Sequence, residues 1–113
     1  MSELDRKMAE VMGYIYYFNN MDTYDYWLEP QEPESKIVIE CVNWTPSTNI
    51  SQALFEVVEK MLKRGFVYNL ENRTDGTHDC QFHHLESGRW FEMVNHENPA
   101  TAICLAAEQA VGG

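Results

Sequence analysis

The chain has 113 residues, of which 44% are apolar, and this is typical of one folded domain rather than of a disordered segment. Its 18 acidic and 8 basic residues give a net charge of −10, which argues against direct binding of nucleic acid or an anionic membrane through a basic patch. No apolar run reaches the roughly 18 residues of a membrane-spanning helix. The N-terminus lacks the layout of a signal peptide, so the sequence predicts a cytosolic protein.

The first half of the chain contains one clear helix signal. Ser2 to Met12 predicts a helix that Ser2 caps, with apolar residues at positions 4, 8, 11 and 12, and Gly13 is expected to end it. Residues 14–35 are predicted to be an irregular segment rich in aromatic and acidic residues, with an exposed loop at its two prolines. Lys36 to Val42 is β-branched and predicts a short strand.

The middle of the chain contains the strongest amphipathic pattern. Thr48 or Asn49 can cap a helix that ends at Gly65, with three basic residues in its last turn, where the helix dipole favours cations. Apolar residues recur at spacings of three and four, which predicts a stripe facing the core. The stripe consists of Ile50, Ala53, Leu54, Val57, Val58, Met61 and Leu62.

The last third of the chain predicts strands followed by a helix. Strands are expected at 66–70, 79–85 and 89–94, with the Asp75-Gly76 pair reversing the chain between the first two. Asn98 is expected to cap a final helix with Pro99 at its first position. Strands that run together between helices indicate an α+β fold, here a layered α-β-α sandwich of three helices on one mainly antiparallel sheet of three to four strands.

The segment THDCQFHH, residues 77–84, combines side chains that often bind metal or act in catalysis. In a strand, however, side chains alternate between faces, and Cys80 and His84 would lie about 13 Å apart along it. Four ligands of one ion cannot converge from such an arrangement, so no metal site is predicted. Cys80 and Phe82 are expected to face the core. No turn that would present a Cys or Ser nucleophile occurs, so no catalytic residue is assigned.

The aromatic and acidic segment at 14–35 is the strongest candidate for a binding surface. Tyrosine and tryptophan interleaved with acids, and with few lysines, are typical of protein interfaces, although part of the segment is expected to cover the core. Aromatic rings also stack on small planar ligands such as nucleobases. Its acidic residues are expected to lie in a solvated loop rather than to form a catalytic pair. The predicted partner-binding residues are Tyr16, Tyr17, Tyr24, Asp25, Tyr26, Trp27, Trp44 and Thr45.

Three blocks of the chain together resemble one family. WTPSTNISQALFEVVEKM at 44–61 is similar to the PSTDIAAAWEVVEKL signature of the phage ABA sandwich domain family. NPATAICLAAEQAV at 98–111 resembles its closing helix, and ELDRKMAEVMGY at 3–14 resembles its opening helix. Tyr14, Asn49 and Glu108 depart from the usual residues. The resemblance implies a small layered domain over residues 1–113, encoded by phages or prophages, and implies no activity.

Charge, composition and the resemblance predict a non-enzymatic phage or prophage accessory protein in the cytoplasm of the bacterial host. It would bind and inhibit or redirect a host or antiviral-defence protein, without cofactor or metal. The alternative is an oligomer that sequesters a small nucleotide signal, with a basic residue such as Arg73, Arg89, Lys36 or Lys63 in its pocket. Both alternatives exclude direct contact with nucleic acid or membrane, and the second requires self-association.

Overall fold

A computed structural model describes residues 2–18 and 25–112, and in these ranges it contains three α-helices and two three-stranded antiparallel sheets. The predicted α+β class is confirmed, with six strands in two sheets in place of the single sheet of three to four strands that was expected. The chain forms two compact units, Met1–Thr45 and Pro46–Gly113, here called unit 1 and unit 2. That they make up one domain over residues 1–113 stays a prediction.

Helix α1, Glu3–Val11, opens unit 1 and agrees with the predicted helix. The Ser2 hydroxyl accepts a hydrogen bond from the backbone N–H of Asp5 at 3.1 Å, which satisfies one of the free donors of the first turn. Met8 and Met12 are buried, as their spacing predicts. Gly13 follows with φ of 80°, a backbone conformation that favours glycine, and ends the helix.

Unit 1 also holds the first sheet, in the order β1-β2-β3: β1 is Ile15–Phe18, β2 is Asp25–Glu29 and β3 is Lys36–Glu40. The prediction of an irregular segment over 14–35 was therefore wrong for β1 and β2. The sequence of β1 is made of residue types that favour strands, but it lacks the polar and apolar alternation by which a half-buried strand is recognised, and all four residues are exposed. The exposed proline loop is confirmed at residues 30–35, and residues 19–24 lie outside the described part.

Helix α2 of unit 2 covers residues 50–63 and has an unusual middle. Its central segment, Ala53–Val58, has the wider i→i+5 hydrogen bonding of a π-helix, between α-helical Ile50–Gln52 and Glu59–Lys63. Ala53, Val57, Val58 and Met61 are buried as predicted, whereas Ile50 and Leu62 are exposed. The middle of the predicted stripe is therefore in the core, and its first and last residues are exposed.

The second sheet has the order β4-β5-β6, with β4 at Phe66–Asn72, β5 at His78–His84 and β6 at Val94–His96. The predicted strand at 89–94 is shifted, because only Trp90 forms an isolated bridge, to His83, before the chain rejoins the sheet at Val94. Gly76 turns the chain between β4 and β5 with φ of 88°, which fits the predicted reversal.

Helix α3, Pro99–Gly112, packs against β5, β6 and α2 within unit 2. The Asn98 side chain accepts a hydrogen bond from the N–H of Ala100 at 2.9 Å, so the predicted cap is confirmed. Small buried side chains let the helix lie close to the sheet; they are Ala100, Ala102, Cys104, Ala106, Ala107 and Ala110. None of the helices in the described ranges is long and apolar enough to cross a membrane.

A buried carboxylate joins the strands of unit 2. Asp79 is 6% exposed and accepts hydrogen bonds from Arg73 Nη1 at 2.7 Å and from Asn95 Nδ2 at 2.8 Å. These two donors hold the pKa of Asp79 below its ordinary value, with the Arg73 hydrogen bond as the largest cause. Because β4 leads into Arg73 and β6 carries Asn95, the carboxylate ties both outer strands to β5.

The Asp79→Asn variant is expected to melt roughly 5 °C lower at pH 7 and to lose less stability on acidification than the native protein. A carboxylate whose pKa is lower in the folded than in the unfolded protein stabilises the fold fully at a pH above its unfolded pKa. This stabilisation begins to fade below about pH 5 and is lost as the pH falls through the folded pKa. Thermal melts followed by circular dichroism from pH 7 to pH 3 measure both effects. Glu97→Gln, at an exposed position, is the control. If the melting temperature falls between pH 7 and pH 3 by the same amount in Asp79→Asn as in the native protein, this role of Asp79 is contradicted.

Candidate functional site

The strand pairing in unit 1 sorts the aromatic residues of the first sheet onto two faces. Tyr17 of β1 lies opposite Tyr26 of β2, and Tyr16 lies opposite Trp27. Directly paired residues share a face and neighbours along a strand alternate, so Tyr17 and Tyr26 lie on one face, and Tyr16 and Trp27 on the other. The two faces offer different surfaces.

The face that carries Tyr17 is exposed and apolar. Ile15 and Leu28 form the next pair on this face, and Leu28 also pairs with Ile37 of β3. Ile15 is 52% exposed, Tyr17 46% and Ile37 59%. The outer face is the name used below for the surface of Ile15, Tyr17, Tyr26, Leu28 and Ile37. Large apolar side chains grouped on one sheet face are characteristic of interaction sites, whereas single exposed ones are ordinary.

Strand β1 also leaves a backbone edge open. It pairs with β2 on one side, and in the described part of the chain no strand pairs with its other side. Natural edge strands are usually protected by charged residues, proline or a bulge. The sequence of β1, Ile-Tyr-Tyr-Phe, contains none of the protecting residue types and pairs with β2 in unbroken register. This edge can therefore accept an added strand.

The opposite face of the sheet borders a cleft of about 480 Å³ in unit 1, which is within the range of small-ligand pockets. The cleft is the name used below for the space lined by Arg6, Glu10, Tyr14, Tyr16 and Trp27. The Tyr16 ring packs edge-on to Trp27, with ring centroids 5.8 Å apart and planes at 70°. The described part of the lining thus consists of three aromatic side chains and two charged side chains of α1.

The phenol of Tyr16 is fixed by a hydrogen bond. Its hydroxyl donates to the carboxylate of Asp25, which lies on the same sheet face. This hydrogen bond, with smaller contributions from burial and the Asp25 charge, raises the pKa of Tyr16 to about 12. The ring at the cleft wall is consequently neutral at physiological pH and is held at both its hydroxyl and its edge.

Trp27, which lines the cleft, carries an unsatisfied donor. Its side chain is 2% exposed, and its Nε1–H is buried without an acceptor among the described residues. An indole nitrogen acts only as a hydrogen-bond donor, so it needs an acceptor from another group. A buried donor without a partner costs about 1–3 kcal/mol. Trp44, in contrast, donates its Nε1–H to the Asp5 carbonyl at 2.7 Å.

Arg6 and Glu10 stand one helical turn apart on α1, a spacing that places them side by side on the helix surface. Among the described residues, neither side chain has an ion-pair partner. A guanidinium that is not already paired is available to a carboxylate or phosphate in the cleft, because its N–H groups match two oxygens at once. The lining therefore combines apolar walls, one cation, one anion and one buried donor.

The predicted partner-binding residues do not form one surface. Tyr17 and Tyr26 lie on the outer face, whereas Tyr16, Asp25 and Trp27 lie on the cleft side. Tyr24 lies outside the described residues. Two predicted residues follow β3: Thr45 is half-buried, and Trp44 is 1% exposed and packs edge-on to Tyr14, 5.6 Å between ring centroids. Trp44 is thus a core residue rather than part of an exposed surface.

Several residues of these surfaces were not in the predicted set, namely Arg6, Glu10, Tyr14, Ile15, Leu28 and Ile37. The spacing of Arg6 and Glu10 is the only signal that links any two of them, and the same spacing is common on solvated helices. Tyr14 was recognised as part of the aromatic run without being assigned to a site. Ile15 and Ile37 look in sequence like ordinary strand residues.

The segment THDCQFHH forms β5 in the predicted register, with Cys80 and Phe82 buried. Burial raises the pKa of the Cys80 thiol to about 12, so it stays protonated at neutral pH. Of the histidines, His83 stacks on Trp90 at 4.2 Å and His84 contacts the Ser87 hydroxyl through Nδ1 at 2.9 Å. Within the described ranges, no three His, Cys, Asp or Glu side chains group as metal ligands.

Comparison with known protein families gives a match over most of the chain. The model of the phage ABA sandwich domain matches residues 6–107, which is most of the chain and spans α1 through most of α3. No curated protein and no solved structure matches the chain. The match confirms the resemblance seen in the three sequence blocks, and the chain belongs to the phage ABA sandwich domain family.

Proposed function

We propose that this phage-family protein is a non-enzymatic accessory protein that binds a host or antiviral-defence protein in the bacterial cytoplasm and inhibits or redirects it. The observation that carries the proposal is the outer face of unit 1. Ile15, Tyr17 and Ile37 are each about half exposed on one sheet face, next to the open edge of β1. Apolar surface and an unprotected edge together match partners that add a strand to a sheet.

The charge around the outer face selects the kind of partner. Residues 1–45 contain nine acidic and three basic residues. Glu40 lies opposite Tyr26 on the outer face itself, and Glu29 and Lys36 form a pair at the end of the sheet. Complementary charge speeds association and disfavours wrong partners more than it adds affinity. The proposed partner therefore presents an apolar strand or patch with lysine or arginine around it.

Replacing Ile15, Tyr17 and Ile37 together with alanine is expected to weaken partner binding by about 100-fold, because a few large apolar side chains supply most of the energy of an interface. The matched control replaces three exposed residues of unit 2, Phe55, Leu62 and Leu85, with alanine. A partner is captured with the tagged native protein, identified by mass spectrometry, purified, and titrated against all three proteins by calorimetry.

Both triple variants must retain the melting temperature of the native protein to within a few degrees, since each removes exposed side chains. The proposal is contradicted if the unit 1 variant binds the partner as tightly as the native protein does. It is also contradicted if the unit 2 control loses as much affinity as the unit 1 variant. Loss of a functional effect on the partner with the unit 1 variant alone supports it. Tyr17→Pro compared with Tyr17→Ala, which removes the same side chain but keeps the backbone N–H, separates strand addition from contact by side chains alone.

The alternative function is an oligomer that sequesters a nucleotide signal. Its expected basic residues do not line the cleft: Arg73 is paired with Asp79 in unit 2, and Lys36 lies opposite Glu29 in unit 1. The cleft has a different cation, Arg6, next to Glu10. Among the described lining residues Arg6 is the single cation, and the carboxylate beside it opposes a phosphate dianion. The outer face therefore supports protein binding better than the cleft supports nucleotide binding.

A further inference from the structure

We propose that the cleft of unit 1 binds a small aromatic carboxylate, a ligand with one flat ring system and a single negative charge. The site is separate from the outer face, because Tyr16 and Trp27 lie on the opposite side of the sheet from Tyr17 and Tyr26. Its volume of about 480 Å³ accommodates a molecule of one or two fused rings. The ring, the hydrogen-bond acceptor and the charge of the ligand are each inferred from particular residues of the lining.

The aromatic side chains of the cleft favour a ligand with a flat ring. Tyr16 is 49% exposed and offers most of the aromatic surface, whereas Tyr14 and Trp27 are buried and contribute only their rims. A flat ligand that stacks on Tyr16 meets Trp27 edge-on, because the two rings stand at 70° to one another, and this geometry is favourable. The Asp25 carboxylate holds Tyr16 in place through the phenol, so the wall is formed before the ligand arrives. Preformed walls reduce the ordering that binding requires.

The buried indole selects a hydrogen-bond acceptor. Trp27 lines the cleft, and its Nε1–H has no acceptor among the described residues. Trp44 shows what the same group does elsewhere in unit 1, where a carbonyl lies 2.7 Å from its nitrogen. Because this nitrogen is also closed off from solvent, a ligand oxygen becomes its acceptor only when the indole shifts toward the cleft as the ligand binds. A ligand that carries an acceptor is therefore favoured over a purely hydrocarbon ligand.

The two charged residues select a monoanion. Arg6 has no ion-pair partner among the described residues and binds a carboxylate through two N–H groups. Glu10, one turn away, repels further negative charge, so a carboxylate with one charge is favoured over a phosphate with two. A donor on the ligand, such as a ring N–H or an amine, can bond to Glu10.

Titration of the full-length protein with 2-naphthoate tests the site, with neutral 2-naphthamide and adenosine monophosphate as comparison probes. Nitrogen–proton correlation spectra resolve the indole N–H signals of the three tryptophans, and Trp27→Phe identifies the one from Trp27. With naphthoate at concentrations up to about 10 mM, we expect a saturable shift of the Trp27 signal and no shift of the Trp44 signal. The amide is expected to bind at least about 10-fold more weakly, because it lacks the charge that pairs with Arg6.

Arg6→Gln is expected to weaken naphthoate binding at least about 10-fold, whereas Lys7→Gln, which removes the same charge from the next residue, leaves it within about twofold. Lys7 does not line the cleft. The site is overturned if the Trp27 signal shows no saturable shift. It is also overturned if Arg6→Gln and Lys7→Gln change the affinity for naphthoate equally. Equal binding of the amide, or tighter binding of adenosine monophosphate, overturns the assignment to a carboxylate. Outer-face variants that keep naphthoate binding show that the two surfaces act independently.

Discussion

Replacing Phe82 with alanine is expected to lower the free energy of unfolding by about 3–5 kcal/mol. Phe82 is 1% exposed on β5, the central strand of the second sheet, where its ring lies 6.0 Å from that of Tyr68. Helix α3 covers this strand with small side chains. A helix backbone held close to the sheet cannot easily move in to fill the cavity that alanine leaves, so the loss falls at the upper part of the usual range.

Urea denaturation followed by circular dichroism measures this loss, and the chain supplies a matched control. Phe55 of α2 undergoes the same chemical change to alanine but is 67% exposed, so its variant is expected to stay within about 0.5 kcal/mol of the native protein. A similar decrease in both variants contradicts the assignment of Phe82 to the core. Since whole domains are stable by only about 5–15 kcal/mol, the Phe82 variant is expected to be close to unfolding at 37 °C.

Replacing Trp44 with alanine is expected to cost about 3–5 kcal/mol of stability. The side chain is 1% exposed, packs edge-on to Tyr14, and links the end of unit 1 to α1 through its hydrogen bond to the Asp5 carbonyl. The substitution removes a large buried ring and also leaves that carbonyl without its donor. Trp44→Phe keeps most of the packing and is expected to lose about 1–2 kcal/mol, chiefly from the missing hydrogen bond.

The control for Trp44 is Trp90→Ala, since Trp90 is 57% exposed and stacks on His83 at the surface of unit 2. We expect a loss of no more than about 1 kcal/mol there. Urea denaturation and the binding assay of the outer-face variants are run on the same preparations. A Trp44→Phe protein that keeps native stability but loses partner binding would return Trp44 to the contact surface, as the sequence first suggested.

The elements that sequence analysis located correctly are those with local signals at their ends. Ser2 and Gly13 bound α1, Asn98 and Pro99 begin α3, and Gly76 reverses the chain before β5. These residues act through backbone groups a few positions away, so no knowledge of the rest of the fold is needed to interpret them. The register of β5 followed in the same way, because strand alternation alone places Cys80 and Phe82 together.

Strands β1 and β2 and the π-helical segment of α2 were missed because the apolar pattern does not show which backbone groups pair. The residue types of β1, Ile-Tyr-Tyr-Phe, favour a strand, but they do not alternate between apolar and polar, and the pairing that makes them a strand is provided by β2. The apolar spacing of Ala53–Val58 fits an ordinary α-helix as well as the π-helix that it forms.

The sequence by itself determined the family, the α+β class, the caps of all three helices and the composition of a binding segment. Only the tertiary structure decided how that segment is divided: pairing of β1 with β2 sends Tyr17 to an open face, buries Trp27, and sets Tyr16 beside Arg6 and Glu10 in a cleft. The physical reason is that strand register fixes which face each side chain occupies, and register depends on a pairing partner rather than on the strand alone.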